Sequence, residues 1–408
     1  MFRSLIASLI LAALSATVCF GAAAHKASHK THAAKASAPA AVSSAAPAPT
    51  IGANGVPTAP AVDARAYILV DYRTDKVLAA KDAEARMEPA SLTKLMTAYI
   101  VFQELAAGKL KLEDMVNVSE HAWRSEGSRT FIELGQPVSV QDLILGMIVQ
   151  SGNDATIALA ERIAGTEETF AQLMNANAQR LNMTGTHFEN SSGLPSPQHY
   201  TTARDMSLLA IAMIRDFPQY YKYYSVREFE HNGIKQQNRN GLLEKDPTVD
   251  GLKTGHTDSA GYCLVTSSLR NGMRLVSVVL GSASMKARED ASAGLLGYGF
   301  TFYETKLIVK GGSTLATTHV WKAAQPQLAV GIKDDLYLTL PRGKSDVKTI
   351  VDVQPRLIAP LALDAGVGTL RITDGSQNLL SMPLHPLQAA PAGGWWRRLI
   401  DTIHLWFV

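Results

Sequence analysis

Apolar and polar positions change rhythm along the chain, and each change marks a different kind of segment. Behind the basic start Met1-Phe2-Arg3, residues Leu5 to Phe20 form a nearly continuous apolar run, followed by Ala22-Ala23-Ala24. The run is about sixteen residues, short of the roughly twenty that span a bilayer, and the alanines suit a cleavage site. Residues 1–24 are therefore predicted to be a secretory signal peptide. Val18 stands before Cys19, where a lipid-modified cysteine needs a small residue, and this argues against a lipoprotein. From His25 to about Pro60 the text is Ala, Pro, Ser, Lys and His with almost nothing to bury. A flexible, partly polyproline spacer is predicted over residues 25–62, and its His25, His29 and His32 are read as incidental rather than metal-binding.

Structure is expected to begin at Ala66. Residues 66–71 read as a strand, Arg73 to Lys76 as a polar turn and Val77 to Ala80 as the returning strand. Leu92, Leu95, Met96, Tyr99 and Phe102 recur on one helical face, which predicts a helix from Leu92 to Leu105. Further helices are predicted at Val140–Val149, Ala155–Ile163, Phe170–Leu181 and Ala203–Arg215. Two apolar runs, Tyr262 to Leu269 and Arg274 to Leu280, flank Arg270-Asn271-Gly272, a hairpin signal because Asn-Gly suits a turn with positive φ. Leu295 to Phe302 is expected to start a last helix covering that sheet. Strands at both ends of a helical middle make an α+β plan, an antiparallel sheet flanked by helices over residues 63–304. Between 305 and 388 the runs become short and β-like, clearest at Leu328–Ile332, Tyr337–Leu340, Thr349–Val353 and Gly368–Ile372, predicting a small all-β domain.

Composition narrows the chemistry. The chain has 408 residues, 46% hydrophobic and 18% charged, enough to bury a core in more than one domain. Its net charge of +3 becomes +2 without Arg3, and no long single-sign block points to nucleic acid. Two cysteines, Cys19 and Cys263, exclude a disulfide scaffold and a four-cysteine zinc site. Cys263 sits in an apolar stretch and is expected to be a buried, inert thiol.

Three short motifs carry candidate chemistry. Ser91-Leu92-Thr93-Lys94 opens the first long helix, where residues three apart share a face, so the Ser91 hydroxyl and Lys94 amine can meet. A serine needs a base beside it, and a lysine buried at a helix start is pushed toward its neutral, proton-accepting form. Ser151-Gly152-Asn153 lies between two helices, with Ser151 placed to relay protons and Asn153 to bind a substrate amide. Lys253-Thr254-Gly255-His256 offers a positive charge, a hydroxyl and a glycine that lets a substrate backbone lie along a strand edge. Each motif alone recurs by chance: Ser345 to Lys348 and Ser376-Gln377-Asn378 repeat two of them, with no Lys-Thr-Gly after them.

In order within one domain, the three motifs resemble those of serine penicillin-binding proteins and class A β-lactamases. The wider stretches Glu88–Thr97, Met147–Ala155, Gln237–Leu242 and Val249–Thr257 resemble the D-alanyl-D-alanine carboxypeptidases, the low-molecular-mass penicillin-binding proteins that trim peptidoglycan. The resemblance runs from about Ala66 to Leu307 and implies a β-lactamase/transpeptidase-like catalytic domain. It implies an acyl-enzyme on Ser91 with Lys94 as base and Ser151, near Lys253, passing a proton to the leaving D-alanine. It further implies that Lys253, Thr254 and Arg239 hold the terminal carboxylate, and that backbone N–H groups of Ser91 and His256 form the oxyanion hole. His187, His199 and His231 have no such context and are read as ordinary polar residues. No cofactor or metal is implied; the partners are peptidoglycan stem peptides and β-lactams that acylate the serine.

Two alternatives share these motifs. A β-lactamase typically needs a further glutamate on a loop, and His187–Leu194 holds Glu189-Asn190 without the Glu-x-x-x-Asn spacing. A wall-peptide or β-lactam receptor without turnover leaves no distinguishing motif. Three of the five tryptophans, Trp395, Trp396 and Trp406, fall in the closing segment 395–408, within an expected tail of 389–408. There Trp396, Leu399, Ile400, Ile403 and Phe407 keep helical spacing, with Arg397, Arg398, Asp401 and His404 mainly opposite. Fourteen residues reach roughly 21 Å, too short to span a bilayer, so an amphipathic helix is expected to lie on an anionic inner-membrane surface, on its periplasmic side.

Overall fold

The computed structural model describes residues 55–344 and 346–407. The signal at 1–24, the spacer up to residue 54 with His25, His29 and His32, Cys19 and Ser345 lie outside the described residues. The end of the expected spacer belongs instead to the folded body. Val56 is buried, and Tyr298 Oη donates to Pro57 O at 2.9 Å.

A five-stranded antiparallel sheet organises the first domain, in the order Val77–Lys81, Ala66–Asp71, Met273–Ser282, Gly261–Arg270, Val249–Thr257. Alternate side chains along one strand feed opposite faces, so Ile68 and Val70 join one apolar cluster while Tyr67 and Leu69 join another. The first cluster receives helices Lys94–Ala106 and Ala203–Asp216. The second receives the long helix Met285–Phe302 through Leu295, Leu296 and Tyr298. Helices therefore cover both faces and leave the strand Val249–Thr257 as an edge, beside the turn that carries Ser91.

Helices were expected in the right places with three informative differences. The first long helix is preceded by a 3-10 turn, Ala90–Thr93, which holds Ser91. Val140–Val149 resolves into an α-helix, Val140–Leu145, and a π-helical turn, Gly146–Gln150, that delivers Ser151 in the left-handed region at φ 67°. The last helix begins at Met285, ten residues before the expected Leu295, with the Ser284 hydroxyl capping Ala287 N. The edge strand Val249–Thr257 was not expected as a separate strand, because polar Asp250, Lys253 and Thr254 break its apolar rhythm.

From Tyr303 the chain is β-rich. Tyr303–Val309 pairs with Leu336–Pro341, and a six-stranded sheet runs Val347–Val353, Gly368–Asp374, Gln377–Pro386, Gln327–Gly331, Ala316–Trp321, Leu357–Ile358. Its core is aliphatic, built on Val320, Leu328, Val330, Leu370, Ile372 and Leu384. The junction between the domains is polar. Buried Asp71 accepts from Thr74 N at 2.9 Å and Thr305 Oγ1 at 2.6 Å, and Arg342 Nη2 donates to Phe300 O at 2.8 Å. A helix, Trp395–His404, closes the described chain.

Candidate active site

Ser91 rests in its 3-10 turn because the segment 190–194 presses against it. A Cβ on Gly193 would stand 1.8 Å from Ala90 O, and Gly193 has φ 85°, so only glycine allows this approach. The segment is pinned from below: Thr97 Oγ1 donates to Ser191 O at 2.7 Å, and Ser191 N donates to Glu167 Oε1 at 2.9 Å.

Lys94 lies under the serine, 1% exposed. Its Nζ is 3.1 Å from Ser91 Oγ, 2.6 Å from Asn153 Oδ1 and 2.6 Å from Ser192 O. The last two atoms only accept, so they claim two N–H groups. Ser91 Oγ is the one neighbour that can donate, and a neutral amine would turn its lone pair there. Burial, reinforced by the nearby Arg239 charge, lowers the Lys94 pKa to about 7, so that amine is present at neutral pH.

Asn153 is the first residue of the helix Asn153–Ala164. Both ends of its amide are occupied, Oδ1 by Lys94 and Nδ2 by Glu126 O at 2.6 Å. Asp154 beside it is fully buried and accepts from Thr130 N at 2.8 Å, Phe131 N at 2.8 Å, Ile132 N at 3.3 Å and Ala155 N at 2.9 Å. That carboxylate closes the loop 126–132 onto the helix end, and Ser128 O receives Asn153 N at 2.7 Å. Gly152 permits the closure, since a Cβ there would fall 2.0 Å from Thr130 Oγ1. Ser151 lines the same cleft with its Oγ buried and, among the described residues, without a hydrogen bond.

The opposite wall is the edge strand. Lys253 is buried and donates to Thr254 O at 3.0 Å. No hydrogen bond joins it to Ser151 among the described residues. Burial, then the charges of Lys94, Arg239 and Arg288, push its pKa well below the usual lysine range. Thr254, Gly255, His256 and Arg239 line a cleft of about 710 Å³ together with Ser91, Ser151 and Asn153. The His256 ring is exposed and lies 4.0 Å from the Tyr262 ring. Cys263 is buried, and burial raises its thiol pKa to about 11.

Sequence reasoning missed several supports. Arg288, 3% exposed, donates from Nη1 to Gly255 O at 3.2 Å and from Nη2 to Arg239 O at 3.3 Å. It belongs to the part of the last helix that polar Lys286-Ala-Arg-Glu-Asp290 concealed; the Ser284 cap was the available signal. His199 is not an ordinary polar residue. Its Nδ1 accepts from Glu189 N at 3.1 Å, which leaves Nε2 to carry the proton and donate to Thr93 Oγ1 at 2.8 Å. Burial lowers its pKa to about 4. Glu189 itself is exposed and accepts from Gln198 N at 3.0 Å, away from the cleft. Among the described residues no carboxylate lines the cleft, whose charged neighbours are Lys94, Lys253, Arg239 and Arg288. The decoy Asn378 is exposed where Gly368–Asp374 turns into Gln377–Pro386.

A serine hydroxyl beside a buried amine, an unbonded hydroxyl and a sheet edge lined by cationic side chains form an arrangement suited to acyl transfer to serine. The comparisons agree. The family profile described as D-alanyl-D-alanine carboxypeptidase matches residues 54–284, and the one described as penicillin-binding protein 5, C-terminal domain, matches residues 303–391. The Escherichia coli (strain K12) D-alanyl-D-alanine carboxypeptidases DacA and DacC are each 42% identical to this chain, with 86% of this chain and 90% of theirs covered. The crystal structure of penicillin binding protein 5 from Haemophilus influenzae is 39% identical, covering 82% of this chain and 99% of its own, at a TM-score of 0.79. Penicillin-binding protein D2 from Listeria monocytogenes, solved in an ampicillin-bound form, is 30% identical over 59% of this chain and 98% of its own, at a TM-score of 0.55. The chain belongs to the D-alanyl-D-alanine carboxypeptidase family of serine hydrolases.

Proposed function

We propose that this chain removes the terminal D-alanine from peptidoglycan stem peptides through an acyl-enzyme on Ser91, and that penicillins acylate the same serine. The observation that carries the reading is the Lys94 amine, buried, 3.1 Å from Ser91 Oγ, with its two other neighbours able only to accept. Ser91 Oγ attacks the penultimate D-alanine carbonyl while Lys94 Nζ takes the hydroxyl proton. The oxyanion is received by backbone N–H groups of Ser91 and His256, worth about 3 kcal/mol per donor in other hydrolases. The C–N bond then breaks, and Ser151, whose Oγ has no other partner, gives its proton to the departing amine and takes up the one Lys94 had accepted, leaving the Lys94 amine neutral again. Water, deprotonated at Lys94, attacks the ester and restores Ser91. Lys253, Thr254 and Arg239 hold the substrate carboxylate at the positive end of the cleft, and Gly255 lets the peptide lie close to the edge strand. In the unliganded site Asn153 holds Lys94; with peptide bound, its Nδ2 would exchange Glu126 O for a substrate carbonyl.

The test is incubation with a D-Ala-D-Ala peptide and with a labelled penicillin. Released D-alanine and a long-lived adduct on Ser91 support the reading. Rapid penicillin turnover indicates a lactamase, and an adduct without D-alanine release indicates a receptor. Ser91→Ala is expected to abolish both signals, and survival of either overturns the assignment.

Export by the N-terminal signal and attachment to the periplasmic face of the inner membrane belong to the same reading. No helix among the described residues is long and apolar enough to cross a membrane. The helix Trp395–His404 turns one polar residue inward: Asp401, 7% exposed, accepts from Lys322 N of the β domain. Trp395, Trp396, Leu399, Ile400, Ile403 and Phe407 are exposed, an arrangement suited to the headgroup zone of an anionic bilayer. Truncation after Gly394 is expected to release the protein from anionic vesicles in a sedimentation assay; retained binding refutes the anchor.

A further inference from the structure

A lysine that serves as base must turn its lone pair toward the serine, and that orientation is fixed only if the two N–H groups of the amine are held elsewhere. Beneath Ser91 the two holders are Asn153 Oδ1 and Ser192 O, each 2.6 Å from Lys94 Nζ. Asn153 is moored by the loop that Asp154 closes. Ser192 O is a backbone carbonyl on the segment 190–194, which belongs to no helix or strand, so its place is set by side chains around it. Within the segment, Asn190 Oδ1 accepts from Gly193 N at 2.7 Å and Ser192 N at 3.2 Å, which shapes the turn but does not anchor it. The anchors both act at Ser191. Thr97 Oγ1, one turn beyond Lys94 on the same helix, donates to Ser191 O, and Glu167 Oε1 accepts from Ser191 N at 2.9 Å and Ser191 Oγ at 2.5 Å. Glu167 is the first residue of the helix Glu167–Arg180; its side chain is 11% exposed, and its Oε2 lies 3.6 Å from His121 Nε2.

We propose that Glu167 is a positioning residue for the base: its carboxylate holds Ser191 so that Ser192 O keeps one N–H of Lys94 occupied and the lone pair stays on Ser91 Oγ. Without the carboxylate, the N–H and hydroxyl of fully buried Ser191 lose their acceptor, and the segment shifts to find another. Glu167 also acts on Lys94 through charge. Burial, then Arg239, push the Lys94 pKa down, and the carboxylates of Asp154 and Glu167 push it back up. Lys253 and, when protonated, His199 add like charge near the same amine. Glu167 itself is faced by His121 and, across that ring, Glu161. The inference rests on Lys94 acting as base in the proposed reaction.

The test measures Ser91 acylation by a fluorescent penicillin in stopped-flow, from about pH 5.5 to about pH 9, and separates the saturating rate from the half-saturating concentration. Glu167→Ala is expected to lower the saturating rate about ten-fold at the upper end of the range, the cost of a lost buried hydrogen bond, with the half-saturating concentration little changed. Glu167→Gln keeps an acceptor for Ser191 and should recover most of that rate. Its pH midpoint should fall below the wild-type value, because the charge that favoured the ammonium is gone. Glu161→Gln alters the other carboxylate at His121 and should change neither quantity. An undiminished rate in Glu167→Ala, a Gln variant as slow as the Ala variant, an unmoved midpoint in Glu167→Gln, or an equal shift in Glu161→Gln overturns the assignment and leaves the Ser91 chemistry standing. Should Glu167→Ala fail to fold by urea denaturation, the Glu167→Gln midpoint decides alone. A wild-type rate without pH dependence overturns Lys94 as base and the positioning role with it.

Discussion

Lys94 and Leu370 are both sealed from solvent, one beneath the catalytic cleft and the other within the β domain, but their surroundings differ in kind. Leu370 belongs to a cluster of Val, Leu, Ile and Ala side chains, where burial itself supplies the stability. Lys94 is an amine buried where its charged form is costly, and its neighbours are polar atoms. The same contrast separates the domains. Buried Thr93, Lys94, Ser151, Asn153, Asp154 and Lys253 crowd one end of the first domain, whereas the β domain buries few polar side chains, with Asp401 of the final helix tucked against it. Around the cleft the buried polar side chains hold one another in place, whereas the core of the β domain is held by apolar burial.

Four substitutions and one pH profile press on that contrast, the strongest first. Lys94→Met is expected to lower the rate of Ser91 acylation by about 10³-fold, the range of a general base, read by stopped-flow with a fluorescent penicillin. In the wild type the same rate should rise with pH through about 7, where the ammonium, which cannot accept a proton, gives way to the amine. The folded pKa lies below the unfolded value, so the unfolded chain binds more protons between about 7 and 10.5, and this group's destabilising contribution fades as pH rises across that window. A rate independent of pH between 6 and 8 would remove Lys94 as base.

Asp154→Ala strips three loop N–H groups and should cost about 3–4 kcal/mol, together with most of the activity, because Asn153 loses its mooring. Urea unfolding with a parallel acylation assay distinguishes it from a simple core defect. Leu370→Ala is the matched control: about 3 kcal/mol lost from the β domain by denaturation, with kcat on the folded protein unchanged. A fall in kcat there would erase the distinction between scaffold and chemistry. Asp401→Ala, the smallest, should cost about 1 kcal/mol and speed tryptic cleavage at Arg397 and Arg398, since the helix loses its bond to Lys322 N.

The parts of the site that were legible in the amino-acid text are local. Ser91 and Lys94 are three residues apart, and a helical turn brings them together whatever surrounds it. Ser151 and Asn153 share one turn, and Lys253 to His256 share one strand. The illegible parts are backbone atoms and distant side chains. Ser192 contributes a carbonyl, which no residue type announces, and Arg288 reaches Gly255 across 33 positions. His199 meets Thr93 across 106, so its burial and tautomer depend wholly on packing. The strand Val249–Thr257 escaped notice because its polar residues serve the cleft rather than the core.

By itself, then, the sequence determined the signal-like start, the order of three motifs, the helices of the first domain and the amphipathic final helix, because periodicity and spacing are local properties. Only the tertiary structure decided that Lys94 is desolvated and its pKa lowered, since desolvation is a property of what surrounds a group. It also decided that the apolar face of the final helix points outward, because Asp401 found Lys322. Each of those depends on residues far apart in the chain meeting in a low-dielectric or solvent-exposed place, which no reading of neighbours along the chain contains.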